Sequence, residues 1–402
     1  MKSSTSPIVI AVVLGCLGAL GPLGIDMYLP ALPQIARALH TDEGSVQYSL
    51  MVFFTGLTLG QLFYGPLSDR FGRKPLVFFG LALFMLSSLG CVFVTSLGQL
   101  LVFRFFEGLG GSIGMVIAMA VIRDLYTGHD AAKLMASVLM VLGLAPVIAP
   151  LAGSVILSFG DWRTVFVVLT AASAGILLFA ALCLPETRLP EARKNSRPKD
   201  AAGHYLRLLF SRQFMPFVLV SAIAQGGFFA YISGSASVFI SMHGLSPMAY
   251  SLLFATNAIG LVTANQLSPR VVRRLGTNLA TRLASGCYAT CGLLLILLET
   301  THLASLPTHA ILLFFVVSCV GMLMPILSVR AMAAYGSIAG TAAALMGAIQ
   351  FIGASAASGI VGSLNDGTAV PLTGTIAVCG VVALVISIVG LPKGETGGLA
   401  QH

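Results

Sequence analysis

Hydrophobic residues in this chain fall in long runs rather than in alternation. Twelve such runs recur, at about 8–31, 45–66, 75–94, 98–122, 133–157, 164–184, 214–241, 247–267, 277–298, 308–328, 338–362 and 371–391. About 20 apolar residues suffice to cross the hydrocarbon core as an α-helix, and no run shows the two-residue period of a lipid-facing β-strand. The pattern predicts an all-α integral membrane protein with twelve transmembrane helices. Short polar breaks separate most of the runs. Residues 185–213 differ, with three prolines (Pro185, Pro190 and Pro198), seven basic residues and no run long enough to span. This stretch is expected to be a solvated cytoplasmic linker between two six-helix halves, 1–184 and 214–391, with a cytoplasmic tail at 392–402.

Composition strengthens that reading. The 402 residues are 57% hydrophobic and only 9% charged, against about 25% charged in soluble domains. The net charge of +8 is distributed for topology and not for nucleic acid: 19 of the 22 Lys and Arg fall on the side of Arg70, Arg73 and Lys74. Only Arg37 and Arg163 fall on the far side, and Arg104 lies within a run. By the positive-inside rule both termini are cytoplasmic. The first run follows Lys2 and has no small-residue cleavage site before Asp26, so it reads as an uncleaved helix. All seven cysteines lie in apolar runs without a C-x-x-C pair, as buried small hydrophobes with no disulfide framework and no metal site.

Charges inside the runs are few, and a charge in hydrocarbon is costly enough to need a partner, a cavity or a function. Away from the run ends, where Lys133 and Arg282 fall, they are Asp26 in the first run, and Arg104 and Glu107 in the fourth. Asp26 is able to exchange a proton for a substrate, or else is an acid wetted near the far end of its helix, since Pro30 and Pro33 follow it. Arg104 and Glu107, three apart, share a helix face. They form either a static ion pair or a switch in which protonation of Glu107 frees Arg104. No histidine lies well inside a run, His309 falling at a boundary, so a transported proton is expected to use carboxylates. Tyr28, Gln61, Gln225, Tyr231, Asn257 and Gln350 are the polar candidates for lining a substrate cavity. Gly143, Pro146, Pro150 and Gly153 combine close packing with helix bending in the fifth run.

Between the second and third runs lies Gly65-Pro66-Leu67-Ser68-Asp69-Arg70-Phe71-Gly72-Arg73-Lys74-Pro75. One acid and three bases in eleven residues belong at a water interface. Two hundred residues later, Leu267-Ser268-Pro269-Arg270, with Arg273, Arg274 and Gly276, echoes it at the same place in the second half. The echo points to a degenerate internal repeat, with Pro269 where the first copy has its acid.

The first copy matches G-x-L-x-D-R-x-G-R-K, the signature loop of the major facilitator superfamily, at Gly65, Leu67, Asp69, Arg70, Gly72, Arg73 and Lys74. Asp26-Met27-Tyr28-Leu29-Pro30-Ala31-Leu32-Pro33 resembles the first-helix signature of the bicyclomycin-resistance (Bcr/CflA) group of drug:proton antiporters. Residues 101–108 resemble the fourth-helix motif R-x-x-Q-G, with Glu107 in place of the usual Gln. Ala145-Pro146-Val147-Ile148-Ala149-Pro150-Leu151-Ala152-Gly153 resembles the fifth-helix antiporter motif. The resemblance implies two six-helix halves and alternating access with a proton as coupling ion and no other cofactor. It implies proton coupling at Asp26, Glu107 and Arg104. It further implies a conformational latch of Gly65, Asp69, Arg70, Gly72, Arg73 and Asp124, in which Arg70 or Arg73 pairs with Asp124 and Asp69 faces the helix dipole near Ala339.

No nucleophile–base set, metal-ligand cluster or phosphate loop stands out, so an enzyme is not expected. The expectation is a monomeric, proton-coupled exporter of small amphipathic drugs or antibiotics in the bacterial inner membrane. An exporter of a native metabolite (an amino acid, a nucleoside or a self-made antibiotic) and a non-transporting receptor on the same scaffold are the alternatives.

Overall fold

The structure is a computed structural model that describes residues 6–126, 128–195 and 198–391. Among these residues there is no strand, and twelve helical stretches of 20 to 32 residues are long and apolar enough to cross a membrane. The first stretch is broken. Helix α1 (Pro7–Asp26) ends in a turn at Met27–Tyr28 and a 3-10 turn (Leu29–Ala31), and α2 (Leu32–Ala38) follows. Pro30 and Pro33 account for the break, because each lacks an N–H and disfavours helix in the residue before it. The first span therefore runs to Ala38. Arg37, beyond the first run by sequence, thus lies in the last turn of α2, and Asp26 stands well before the end of the span.

The second span is α3 (Glu43–Phe71), whose N-cap Asp42 accepts the Ser45 amide at 2.7 Å. Then come α4 (Arg73–Val92), the pair α5 (Leu97–Gly111) and α6 (Ile113–Leu125) as the fourth span, α7 (Gly128–Phe159) and α8 (Trp162–Cys183). The charged motif is thus almost wholly helical and is not a loop. It forms the last turns of α3 and the first of α4, with Gly72 alone between them. Gly72 has φ +101° and ψ 159°, a region essentially restricted to glycine, and that single residue turns the chain.

Among the described residues of 185–213 are two helices, α9 (Pro190–Asn195) and α10 (Pro198–Leu209). The later spans are α11 (Met215–Ala236) with a π-helical turn (Ser237–Met242), α12 (Pro247–Leu275), α13 (Thr277–Thr300), α14 (Leu306–Met332), α15 (Ala339–Ser363) and α16 (Val370–Val389). The cysteines are free thiols, but Cys287 is exposed on α13 and does not fit the expectation of burial.

The chain forms two compact units, Met1–Tyr205 and Leu206–His402. In the first, α1 packs on α7, α3 on α5 and α4 on α8; in the second, α11 packs on α15, α12 on α14 and α13 on α16. These are the same three pairings, span for span. The echo of the charged motif has the same backbone as well. Gly276 (φ +76°) joins α12 to α13 as Gly72 joins α3 to α4, and the Ser68 and Ser268 hydroxyls donate to the carbonyls of Gly65 and Asn265 at 2.9 and 2.8 Å.

Candidate functional site

The first unit buries three charged side chains of its apolar core: Asp26 (4% exposed), Arg104 and Glu107 (both 0%). Arg104 and Glu107 sit one turn apart on α5, and their side chains meet at 2.7 Å. Arg104 Nη1 also donates to the Gly24 carbonyl at 3.0 Å, and the Ser88 hydroxyl of α4 donates to the other Glu107 oxygen at 2.8 Å. The guanidinium lies 4.3 Å from the Phe53 ring centre, 4.5 Å from Tyr28 and 5.9 Å from Phe166. Its Nε and Nη2 have no hydrogen-bond partner, so these aromatic faces stand in for acceptors. Tyr28 is held in place by a 2.9 Å hydrogen bond to the Ser49 hydroxyl, which itself donates to Val46 O.

Asp26 is different. It ends α1 where the helix breaks, and among the described residues it has neither an ion-pair partner nor a side-chain hydrogen bond. An isolated carboxylate away from water is expensive as an anion. The backbone just after it is fixed by α7. An added Cβ at Gly153 would lie 2.2 Å from the Met27 carbonyl oxygen, so only glycine lets α7 approach there. Gly143 has nothing within 4 Å, and α7 runs unbroken through Pro146 and Pro150. Of the fifth-span motif, Gly153 is the member in contact with the acidic turn.

At the other end of the unit, Arg73 is 1% exposed and anchors three elements. Its Nη2 meets Asp69 at 2.7 Å, its Nε meets Asp124 of α6 at 2.9 Å, and its Nη1 donates to Ser68 Oγ at 2.5 Å. Arg73, and not Arg70, is the partner of Asp124; Arg70 is exposed. Gly65 is half-buried and supplies the carbonyl for Ser68.

Sequence reasoning missed a whole side of this network. The Glu186 carboxylate, just past α8, accepts the backbone N–H groups of Arg73 and Lys74 at 3.0 and 3.1 Å, satisfying free donors at the start of α4. Arg193 pairs with Glu186 at 3.1 Å, the Thr187 hydroxyl donates to Asp124 at 3.0 Å, and Arg188 lies 3.7 Å from Asp69. The head of the linker is therefore bound to the charged motif. An acid directly after the sixth run was visible in the sequence; the helix it caps, 112 and 113 residues earlier, was not.

The predicted cavity residues separate into three kinds. Tyr28 belongs to the Arg104 cage. Tyr231 stacks on Phe254 and accepts from Asn257 Nδ2 at 2.8 Å, while Gln350 Nε2 donates to Ser221 at 2.6 Å, so these tie helices of the second unit together. Gln61 and Gln225 make no side-chain hydrogen bond among the described residues. The second unit does not repeat the charge network: among the described residues Arg270, Arg273 and Arg274 have no ion pair. His309, placed at a boundary by its sequence, is fully buried in the first turn of α14.

Known proteins share this architecture. A D-xylose–proton symporter of solved structure superposes with a TM-score of 0.77 at 17% identity, covering 97% of this chain and 99% of its own. An uncharacterised MFS-type transporter of Bacillus subtilis is 34% identical over 96% of both chains, and a bicyclomycin resistance protein homologue of Haemophilus influenzae is 31% identical over 96% of both. Residues 14–358 match the family described as Major Facilitator Superfamily. With twelve spans in two equivalent units and its signature motif at the α3–α4 turn, the chain belongs to the major facilitator superfamily of membrane transporters.

Proposed function

We propose that this transporter exports small amphipathic drugs or antibiotics across the bacterial cytoplasmic membrane in exchange for protons, with both termini in the cytoplasm. The observation that carries the reading is the contrast between two buried acids. Glu107 is neutralised by Arg104 and bonded by Ser88. Asp26 has no partner at all among the described residues, at a helix break against which α7 packs through Gly153. Asp26 is the exchanging group: a proton and a substrate compete for it, so arrival of one favours release of the other. Arg104 and Glu107 form a fixed, internally neutral pair that keeps a positive guanidinium near the site without a net charge. Direction follows the proton gradient, whose inward flow drives export by alternating access.

The Arg73 cluster is the latch of this cycle. It holds α3, α4 and α6 together with the linker head, and its release and re-formation set the rate of turnover. The similarity to a bicyclomycin resistance protein homologue supports a drug as cargo. Everted membrane vesicles test the whole reading. Addition of a transported drug should dissipate a preformed pH gradient, and Asp26→Asn should abolish the response while the protein remains in the membrane. A pH response that survives Asp26→Asn would remove Asp26 from the coupling role.

A further inference from the structure

The transport reading leaves one buried cluster of titratable groups unused, and it lies in the second unit. His309 of α14 is 0% exposed, and its Nε2 lies 3.2 Å from Glu299 Oε2 at the end of α13, itself 9% exposed. The contact is an ion-pair distance, and neither atom has a hydrogen-bond partner among the described residues. On the other side of the ring, His309 Nδ1 is 3.1 Å from the Ser305 carbonyl oxygen and 3.3 Å from His243 Nε2. His243 is half-buried and follows the π-helical turn that ends α11. Such turns occur often at functional sites; here the turn brings an imidazole, ring centre 5.2 Å away, onto α14.

The hydrogen-bond inventory decides what this arrangement holds. A carbonyl oxygen and an ionised carboxylate only accept, and a neutral imidazole has one N–H to give. His309 satisfies Ser305 and Glu299 together only when it carries a second proton. Burial and the neighbouring His309 hold His243 below the usual histidine range, and His243, half-buried, is the member of the pair within reach of water. Among the described residues no other ion pair reaches these three side chains. Tyr250 of α12 gives its hydroxyl to Ser235, Asp366 in the loop after α15 is taken by Thr368, and His302 is exposed.

We propose that His243, His309 and Glu299 form a proton-binding site at the ends of α11, α13 and α14 remote from the linker. His243 is its entrance and the His309–Glu299 pair its place of residence. When loaded it pins three helix ends together; when empty it leaves Glu299 with no cation. A charged His309 ring attracts the Glu299 carboxylate and a neutral one does not, so the contact ties the helix ends together only while the ring carries its second proton.

The test uses the purified full-length protein in lipid nanodiscs, with apparent unfolding temperature measured from pH 5.5 to 8. His309→Gln is expected to lower it by a few degrees at pH 5.5 and by much less at pH 8. Glu299→Gln should behave the same way, the double variant should be no worse than either single one, and His302→Gln should track the parent. A gap between parent and His309→Gln that is equal at every pH would overturn the proposal, as would additive losses in the double variant. If His309→Gln fails to fold, Glu299→Gln and its pH profile carry the same decision. Transport is not measured here, so failure of this site and failure of the export reading are separate results.

Discussion

Replacing Glu107 offers the sharpest trial of the buried charge site, because two substitutions there part company. Glu107→Ala removes the acceptor of Arg104 and of the Ser88 hydroxyl and leaves a fully buried guanidinium without its counter-ion. Breaking a buried pair from one side costs about 3–5 kcal/mol. Glu107→Gln keeps the shape. Its amide oxygen accepts from Arg104 and its amide nitrogen donates to Ser88, so the hydrogen bonds survive although the counter-ion is lost here too, and the cost is smaller, about 1–2 kcal/mol. In a body the size of the first unit, Met1–Tyr205, each kcal/mol moves the unfolding midpoint by about 2–4 °C. Thermal unfolding in detergent should therefore fall by about 2–8 °C for Gln and by about 6–20 °C for Ala. The Gln variant, which restores the residue usual at this place in the resembling motif, should also keep its pH-gradient response. Equal stability of the two variants would show that the pair stabilises nothing. A stable Glu107→Gln protein that no longer couples would transfer the proton role from Asp26 to Glu107.

Other substitutions test the rest of the network. Asp69, 35% exposed, contributes about 1 kcal/mol or less to stability, yet Asp69→Asn should lower turnover in vesicle transport more than it weakens substrate affinity. Asp124, only 12% exposed and bonded by both Arg73 and Thr187, should lose more on Asn substitution, about 1–3 kcal/mol in thermal unfolding. Within the fifth-span motif, Gly153→Ala should destabilise by about 1–3 kcal/mol and depress export, whereas Gly143→Ala, with open space around it, should be silent in both assays. Gly72→Ala meets both an unfavourable φ and the Glu186 carboxylate 2.6 Å away, while Gly276→Ala meets only the first; thermal unfolding should show the former as the more damaging.

What was legible in the sequence was what hydropathy and local spacing encode. Twelve spans follow from run length alone, and the Arg104–Glu107 pair follows from a three-residue separation on one helix. Contacts between distant segments were not encoded that way. The first span looked shorter because Pro30 and Pro33 read as its end, when they break a path that continues to Ala38. The charged motif looked like a loop because its charge density resembles one. Its backbone stays helical since Asp69 and Arg73, four apart, pair across the Gly72 turn. His309 looked interfacial because nothing in Leu306-Pro307-Thr308-His309 announces that Glu299 and His243 fold against it.

The contact between Gly153 and the Met27 carbonyl joins two signatures that stand 126 positions apart in the chain. One is the acidic, proline-rich stretch around Asp26, and the other is the proline–glycine pattern of α7. Their joint is a surface of fit, so the two cannot drift independently. Growth selection for drug resistance, starting from Gly153→Ala, should return second-site revertants clustered in Met27–Pro33. Few should fall elsewhere on α7. The genetics of the transporter would then read as the genetics of one interface, with the carboxylate riding on it.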